Sequence, residues 1–127
     1  MSTYWIQGSD YSVREEDNVT SARQIVERLD AHDWAAEHAL LESLGDDGCP
    51  AGLGIVREVG IILHLCPNSD GTIMTSCNVS VPYKFLGFIN ATKLVMLDVE
   101  KLARSVAIAA IPKFLAADEA WLKANLK

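Results

Sequence analysis

The chain has 127 residues, half of them hydrophobic, and carries a formal net charge of −6. This length suits a single domain over 1–127 that buries its own core, and the apolar runs are far shorter than the roughly 20 residues needed to cross a bilayer. The acidic balance argues against a nucleic-acid partner, because phosphate would be repelled. The N-terminus lacks a signal-peptide pattern, and three irregularly spaced cysteines favour a reducing compartment. We therefore expect a cytoplasmic protein that does not enter the membrane.

The N-terminal segment predicts a strand followed by a loop. Residues 3–7 have the composition of a β-strand and are followed by a glycine, which indicates a short edge strand. The segment 10–18 is polar and highly charged. Its composition predicts a solvated loop.

Two helices are expected next. Ser21, with a glutamine three residues later, is typical of a helix start, and the apolar spacing that follows predicts a helix over 21–31. Asp33 is placed to cap a second helix, which Gly45 ends. The two helices are either separate or parts of one bent rod.

The periodicity changes to two between Leu53 and Val81, which predicts antiparallel strands joined by tight turns. The clearest strand covers 72–81, and Pro82 is expected to end it because proline has no N–H for a central ladder. One face of this strand is expected to be buried, through Ile73, Cys77, Val79 and Val81. The other face is expected to be wet, through Ser76, Asn78 and Ser80.

The C-terminal part mixes strand and helix signals. Residues 83–97 are apolar without a clean period and predict one or two further strands. Asp98 is expected to cap a helix that Pro112 kinks or interrupts, and a final helical segment carries Trp121. The chain therefore predicts an α+β domain, with an antiparallel sheet of four or five strands and helices packed on one face.

Charge is distributed unevenly along the chain. The first 50 residues carry eleven acidic and three basic side chains, whereas the remaining 77 carry six acidic and eight basic ones. Carboxylates of the first part form a candidate binding surface for a basic protein partner. The candidate residues are Glu15, Glu16, Asp17, Asp30, Asp33, Glu37, Asp46 and Asp47. Three of them, Asp30, Asp33 and Glu37, would share one stripe if the two helices were nearly continuous, although a solvated helix face without a partner is an equally good interpretation.

Three aromatic residues, Tyr4, Trp5 and Trp34, lie within or beside this acidic part of the chain. Aromatic side chains among carboxylates are typical of a hot spot for a basic partner. Burial in the core is the alternative for each of them, and it is favoured for Trp34.

The chain shows no residue spacing typical of a catalytic or metal site. Its histidines and cysteines lack the CxxC, HxxxH and HExxH spacings of metal ligands. Cys49 has no basic neighbour in the sequence to activate its thiol, and Cys66 and Cys77 are expected to be small core residues. We therefore expect no metal, no cofactor and no enzymatic activity.

The C-terminal part of the chain resembles the small immunity proteins of bacterial toxin systems. The resemblance rests on an alanine-rich stretch that leads to a phenylalanine and a leucine, Ala103 to Leu115, and on Trp121 a few residues later. It implies an inhibitor that occupies the active site of a toxin, with acidic residues that meet or mask a basic cleft.

Three classes of function remain open. The first is an intracellular immunity or inhibitor protein that neutralises a cognate basic toxin or effector domain through its acidic surface. The second is a small acidic secretion chaperone, which would hold an effector segment on an apolar surface and form a homodimer. The third is a small enzyme or ligand-binding domain. A toxin gene beside the gene for this protein would favour the first.

Overall fold

The computed structural model describes residues 2–127, which form six strands and four helices. The strands are β1 (Thr3–Gln7), β2 (Val13–Asn18), β3 (Gly52–Glu58), β4 (Ile61–Pro67), β5 (Ile73–Phe85) and β6 (Ile89–Leu102). The helices are α1 (Ala22–Ala31), α2 (Trp34–Leu44), α3 (Arg104–Leu115) and α4 (Glu119–Asn125), with a 3-10 turn at Gly45–Asp47. All strands pair antiparallel in one sheet, in the order β2-β1-β3-β4-β5-β6. The α+β class is confirmed, and the sheet has six strands where four or five were expected.

The core lies between the helices and one face of the sheet, which we call the helix face. Alternate strand residues on this face are almost completely buried, among them Ile6, Leu53, Leu63, Thr75 and Val79. The helices contribute the buried side chains Ile25, Leu29, Ile111, Phe114 and Leu122 to the same cluster. The intervening strand residues lie on the other side of the sheet, which we call the open face. Several of them are partly or largely exposed, including Trp5, His64 and Met96.

The segment predicted to be a loop, 10–18, is mostly a strand. Its β2 portion pairs with β1 from Thr3↔Asn18 to Gln7↔Val13 and forms an edge of the sheet. β1 therefore lies inside the sheet, between β2 and β3, and the prediction of an edge strand at 3–7 is wrong in that respect. A run of charged residues can form an edge strand because its side chains stay in solvent, where charge also discourages pairing with other chains.

The two N-terminal helices begin and end where the sequence predicts. Ser21 Oγ and Asp33 Oδ1 each accept a hydrogen bond from the backbone N–H three residues later, at 3.1 and 3.0 Å. Gly45 follows the second helix with a positive φ of 57°. His32 has extended backbone between the helices, so they are separate and not one bent rod.

β5 and β6 form a long hairpin that the sequence periodicity did not show. β5 continues to Phe85, so the prediction that Pro82 ends the strand is wrong. β4 pairs with β5 only as far as Cys77, and beyond this point β6 is the only strand paired with β5. Proline is tolerated there because one side of β5 has no ladder that would need its N–H.

β6 also continues further than predicted. Asp98 lies within it, opposite Ser76, and the helix expected to begin at Asp98 begins at Arg104. The apolar residues before and after Asp98 fit a helix and a strand about equally well. Pairing with the full length of β5 decides the matter in favour of the strand.

Pro112 lies inside α3 and does not interrupt it, because the helix continues to Leu115. Ile111 and Phe114 in the last turn are completely buried, so packing against the sheet compensates for the hydrogen bond that proline cannot donate. None of the helices within residues 2–127 combines the length and apolar character required to cross a membrane.

The burial pattern of β5 agrees with the prediction on the helix face. Ile73, Cys77 and Val79 are at most 1% exposed, whereas Val81 is only half-buried. The other side is less wet than expected, since Ser76, Asn78 and Ser80 are all half-buried. Cys66 and Cys77 are buried free thiols, as predicted, and burial raises their pKa values to about 12 and about 11.

Candidate functional site

The outer part of the β5–β6 hairpin extends beyond the last pairing of β5 with β4. We call this part, residues 81–93, the hairpin arm. Its two strands pair with each other from Val81↔Lys93 to Phe85↔Ile89. A concavity of about 560 Å³ lies along the arm and is lined by Pro82, Tyr83, Lys84, Asn90, Ala91 and Thr92.

The tip of the arm exposes a cluster of large apolar side chains. Their exposed fractions range from 39% to 73%, and the residues are Tyr83, Phe85, Leu86, Phe88 and Ile89. Scattered single exposed apolar residues are ordinary, but a contiguous group of this kind marks an interaction surface.

Leu86 is held in an unfavourable backbone conformation at the turn of the arm. Its φ is 55°, Gly87 follows with a φ of 83°, and the Phe88 N–H donates to the Phe85 carbonyl at 3.3 Å. Two-residue turns with positive φ strongly prefer Asn, Asp or Gly, and the left-handed region costs other residues about 1 kcal/mol or more. A leucine that is 70% exposed gains no core packing that would offset this cost. Packing within the protein therefore does not account for a leucine at this position, although Tyr11 and Ala117 also have a positive φ.

The arm carries positive charge and is fixed at its base. Lys84 and Lys93 are its charged residues, and no acidic residue occurs between positions 71 and 97. Just below the arm, Ser80 donates from its N–H and its hydroxyl to the Glu119 carboxylate, at 3.1 and 2.6 Å. These hydrogen bonds hold the pKa of Glu119 below its usual value. The carboxylate therefore stays ionised and ties the arm to α4.

The structure removes Glu37 from the predicted acidic surface. Glu37 is only 4% exposed, so the expectation of an exposed stripe shared with Asp30 and Asp33 is wrong. Its carboxylate accepts hydrogen bonds from Arg14 at 3.2 Å, from His32 at 2.8 Å and from the Ser9 N–H at 3.3 Å. Burial by itself favours the neutral carboxyl, but the hydrogen bonds from Arg14 and His32 hold the pKa of Glu37 below its usual value. Glu37 therefore ties α2 to the N-terminal strands.

Two more of the predicted residues are paired within the fold. Glu15 accepts a hydrogen bond from the Tyr4 hydroxyl at 2.9 Å and pairs with Arg28 at 3.0 Å, which links β2 to α1. Asp30 pairs with Arg104, which links α1 to α3. These ion pairs neutralise part of the charge that the sequence places in the first 50 residues.

The remaining predicted carboxylates are exposed but do not form one surface. Within the described residues 2–127, five of them make no ion pair, namely Glu16, Asp17, Asp33, Asp46 and Asp47. Glu16 and Asp17 are neighbours on β2 and therefore point to opposite sides of the sheet. Asp46 and Asp47 lie in the 3-10 turn after α2. The sequence correctly identified them as exposed charges, but it could not show how they are divided between faces.

His64 and Cys66 lie next to each other on β4. Cys66 Sγ lies 3.7 Å from His64 Nε2, burial lowers the pKa of His64, and the raised pKa of Cys66 keeps its thiol protonated. In the part of the chain that the structure describes, no group of three or more His, Cys, Asp or Glu side chains is placed to hold a metal ion.

A second concavity, of about 540 Å³, lies between α2 and the β4–β5 turn. Some of its polar groups have partners within the fold. His38 Nε2 is 2.8 Å from the Pro67 carbonyl oxygen, and Lys101 pairs with Asp70 at 3.4 Å. Cys66 also lines this concavity, but burial raises the pKa of its thiol to about 12, so the thiol stays protonated.

Comparison of the chain with protein-family models, with curated proteins and with solved structures gives no match.

The residues of the arm were not among the sequence-predicted candidates. One signal was present, because residues 85–89 are apolar on consecutive positions around a Leu-Gly pair. A strand with one buried face alternates in polarity, whereas the arm is exposed on both faces and shows no period. The missing period was therefore itself a sign of an arm outside the core.

Proposed function

We propose that the protein is a binding protein of the immunity or inhibitor type, which neutralises a cognate toxin or effector domain by inserting the hairpin arm into an apolar cleft of that partner. The observation that carries the proposal is the exposed apolar tip, with Leu86 held at a positive φ. Because the strands of the arm are already paired, their backbone has less conformational entropy to lose on binding than an unstructured segment would have, which favours association. An arm seated in a cleft blocks access of the substrate by occupying space, which requires no activated nucleophile and no metal.

Charge gives the proposal a second component. The net charge of −6 and the unpaired carboxylates of the N-terminal part would attract a basic partner from a distance, although they need not touch it. Such steering raises the association rate and falls with ionic strength, while contacts of the arm determine how slowly the complex dissociates.

The substitution Leu86→Asn tests the arm. Asparagine suits a positive φ better than leucine, so the variant should be at least as stable as the wild-type protein. Loss of a hot-spot side chain typically costs about 2 kcal/mol or more, so we expect affinity for the partner to fall roughly thirtyfold. The matched control is Val59→Asn, because Val59 is fully exposed at the β3–β4 turn, which lies near the base of the arm and not at its apolar tip.

The partner to test is the product of the gene adjacent to the one for this protein, in binding experiments and in cells that express it. The proposal predicts that Leu86→Asn protects these cells poorly while Val59→Asn protects them as well as the wild-type protein. Equal affinity and equal protection by the two variants would contradict the role of the arm. Binding only to an unfolded segment of the partner would favour the secretion-chaperone alternative, in which the same apolar surface holds an extended chain.

The electrostatic component is tested separately by changing both Asp46 and Asp47 to lysine. These carboxylates make no ion pair within residues 2–127, so the fold should tolerate their reversal. We expect slower association and a weaker dependence on salt, with little change in the dissociation rate. An unchanged association rate at low salt would contradict steering by this region.

A further inference from the structure

A row of six residues crosses the open face of the sheet, one from each strand. The strand pairings place them in the order Glu16, Trp5, Gly54, His64, Ser76, Asp98. Adjacent strands lie about 4.8 Å apart, so the row spans about 24 Å. It has a carboxylate at each end and two aromatic rings between them.

Gly54 gives the indole ring of Trp5 its place in the row. A Cβ atom at this glycine would lie 2.2 Å from Cη2 and Cζ2 of Trp5, so any side chain here would require the indole ring to move. The ring therefore occupies the space above Gly54 and lies nearly parallel to the imidazole of His64, with an interplanar angle of 20° and ring centroids 6.1 Å apart. Trp5 is half-buried, so part of its surface remains accessible.

A small cavity opens beside these rings. Its volume is about 220 Å³, and it is lined by Trp5, Ile62, His64, Ser76, Asn78 and Met96. Sites for small-molecule ligands usually measure about 300–1,000 Å³. This cavity is smaller and has no acidic residue in its lining, so it leaves room only for the apolar part of one long side chain, while Glu16 lies on the opposite side of β1.

The charges around the row are negative. Glu16 lies directly opposite Trp5 on the neighbouring strand, where Cβ atoms are about 5 Å apart. Glu16 and Asp98 are exposed, and neither makes an ion pair within residues 2–127. His64 adds no positive charge at neutral pH, because burial lowers its pKa. The nearby Arg14 is engaged by Glu37.

We infer that this row binds an arginine side chain of a protein partner, with the guanidinium group over the indole of Trp5 and paired with Glu16. A guanidinium is planar, stacks on aromatic rings and pairs with carboxylates, so it matches both features at once. A lysine would keep the ion pair but lose the planar stacking. A phosphate group would be repelled by both ends of the row.

This site lies on the open face and is independent of the hairpin arm, so it can be tested without the partner of the proposed function. The probe is the peptide acetyl-Gly-Arg-Gly-amide, followed by NMR through the indole N–H signal of Trp5. The comparison peptide contains citrulline, which has nearly the same shape as arginine but no charge. We expect a saturable shift of the Trp5 signal with the arginine peptide and clearly weaker binding of the citrulline peptide.

Two variants locate the ion pair. Glu16→Gln should raise the Kd of the arginine peptide about twofold to fivefold, as for other exposed ion pairs. Asp17→Asn is the matched control, because Asp17 is the next residue on β2 and points to the other side of the sheet; it should leave the Kd unchanged. The absence of a saturable Trp5 shift, equal binding of the two peptides, or equal effects of the two variants would each overturn the inference. Leu86→Asn should bind the peptide like the wild-type protein, which separates this site from the arm.

Discussion

Replacement of Glu37 by glutamine tests the buried cluster that ties α2 to the N-terminal strands. In the wild-type protein, Arg14 and the Ser9 N–H donate to Glu37 Oε1, while Arg14 and His32 lie within hydrogen-bond distance of Oε2. Glutamine keeps the shape of the side chain but replaces one acceptor oxygen with an NH₂ donor. If the NH₂ group replaces Oε1, both Arg14 and the Ser9 N–H face a donor; if it replaces Oε2, Arg14 faces a donor, while His32 Nε2 can accept from the amide in its other tautomer.

The expected loss of stability follows from this geometry. A buried hydrogen bond to a charged group contributes about 1.5–3 kcal/mol, and a donor left without an acceptor costs a similar amount. Arg14 is 34% exposed and can turn toward water, which reduces its contribution to the loss of stability. We therefore expect Glu37→Gln to lower the free energy of unfolding by about 2 kcal/mol at pH 7.

The pH dependence of this stability difference follows from the pKa of Glu37. The folded-state pKa of Glu37 is lowered from 4.5, so its ionised form stabilises the fold above pH 4.5. This contribution is lost as the pH falls through the folded-state pKa, because the carboxyl is then protonated. The stability difference between wild type and Glu37→Gln should accordingly be largest near neutral pH and shrink below pH 4.5.

Urea denaturation at pH 7 and at several values below pH 4.5 measures both effects. Glu42→Gln is the matched control, since Glu42 is exposed on the same helix and should change the free energy of unfolding by about 0.5 kcal/mol or less. Equal midpoints for the two variants at pH 7 would refute the structural role of Glu37. A difference from wild type that stays constant at low pH would refute the ionised state assigned to it.

Three further predictions concern packing and accessibility. Gly54→Ala should lower the melting temperature and the free energy of unfolding by about 1–3 kcal/mol, because the new Cβ would collide with the ring of Trp5; unchanged melting would mean that the ring is not held there. Val79→Asp should lower the free energy of unfolding, measured with urea, by several kcal/mol because it buries a charge. Leu94→Asp, at a position that is 51% exposed, should lower it by about 0.5 kcal/mol or less. Equal midpoints would show that the register of β5 is wrong. In the native protein, a thiol reagent should modify Cys49 alone, since the other two cysteines are buried, and all three should react in urea; early reaction of a second thiol would contradict this burial.

Elements with local signals could be predicted from the sequence. Helices α1 and α2 begin at the residues whose side chains cap them, and the turn between β3 and β4 contains Gly60, which has a φ of 83°. The residues that form a cap or a tight turn are only a few positions apart, so a short stretch of sequence contains all of them. The alternation along β4 and the first part of β5 was equally clear, because one face of each is buried in the core.

Elements defined by a distant partner could not be predicted. The charged segment of β2 is a strand because β1 pairs with it, and the segment around Asp98 is a strand because β5 extends far enough to pair with it. Their compositions were compatible with a loop and a helix, respectively. Long-range hydrogen bonding overrides a weak local preference, and it leaves no trace in the residues nearby.

The candidate sites depended on the tertiary structure even more strongly. The sequence by itself determined that the N-terminal part is acidic and that aromatic residues lie within it. Only the fold decided that Glu37 is buried beside Arg14, that Glu16 shares a face with Trp5 and that the arm is exposed on both sides. The physical reason is that the charge of a residue is intrinsic, whereas its exposure and its neighbours depend on strand register, and a shift of one residue would move a side chain to the opposite face of the sheet.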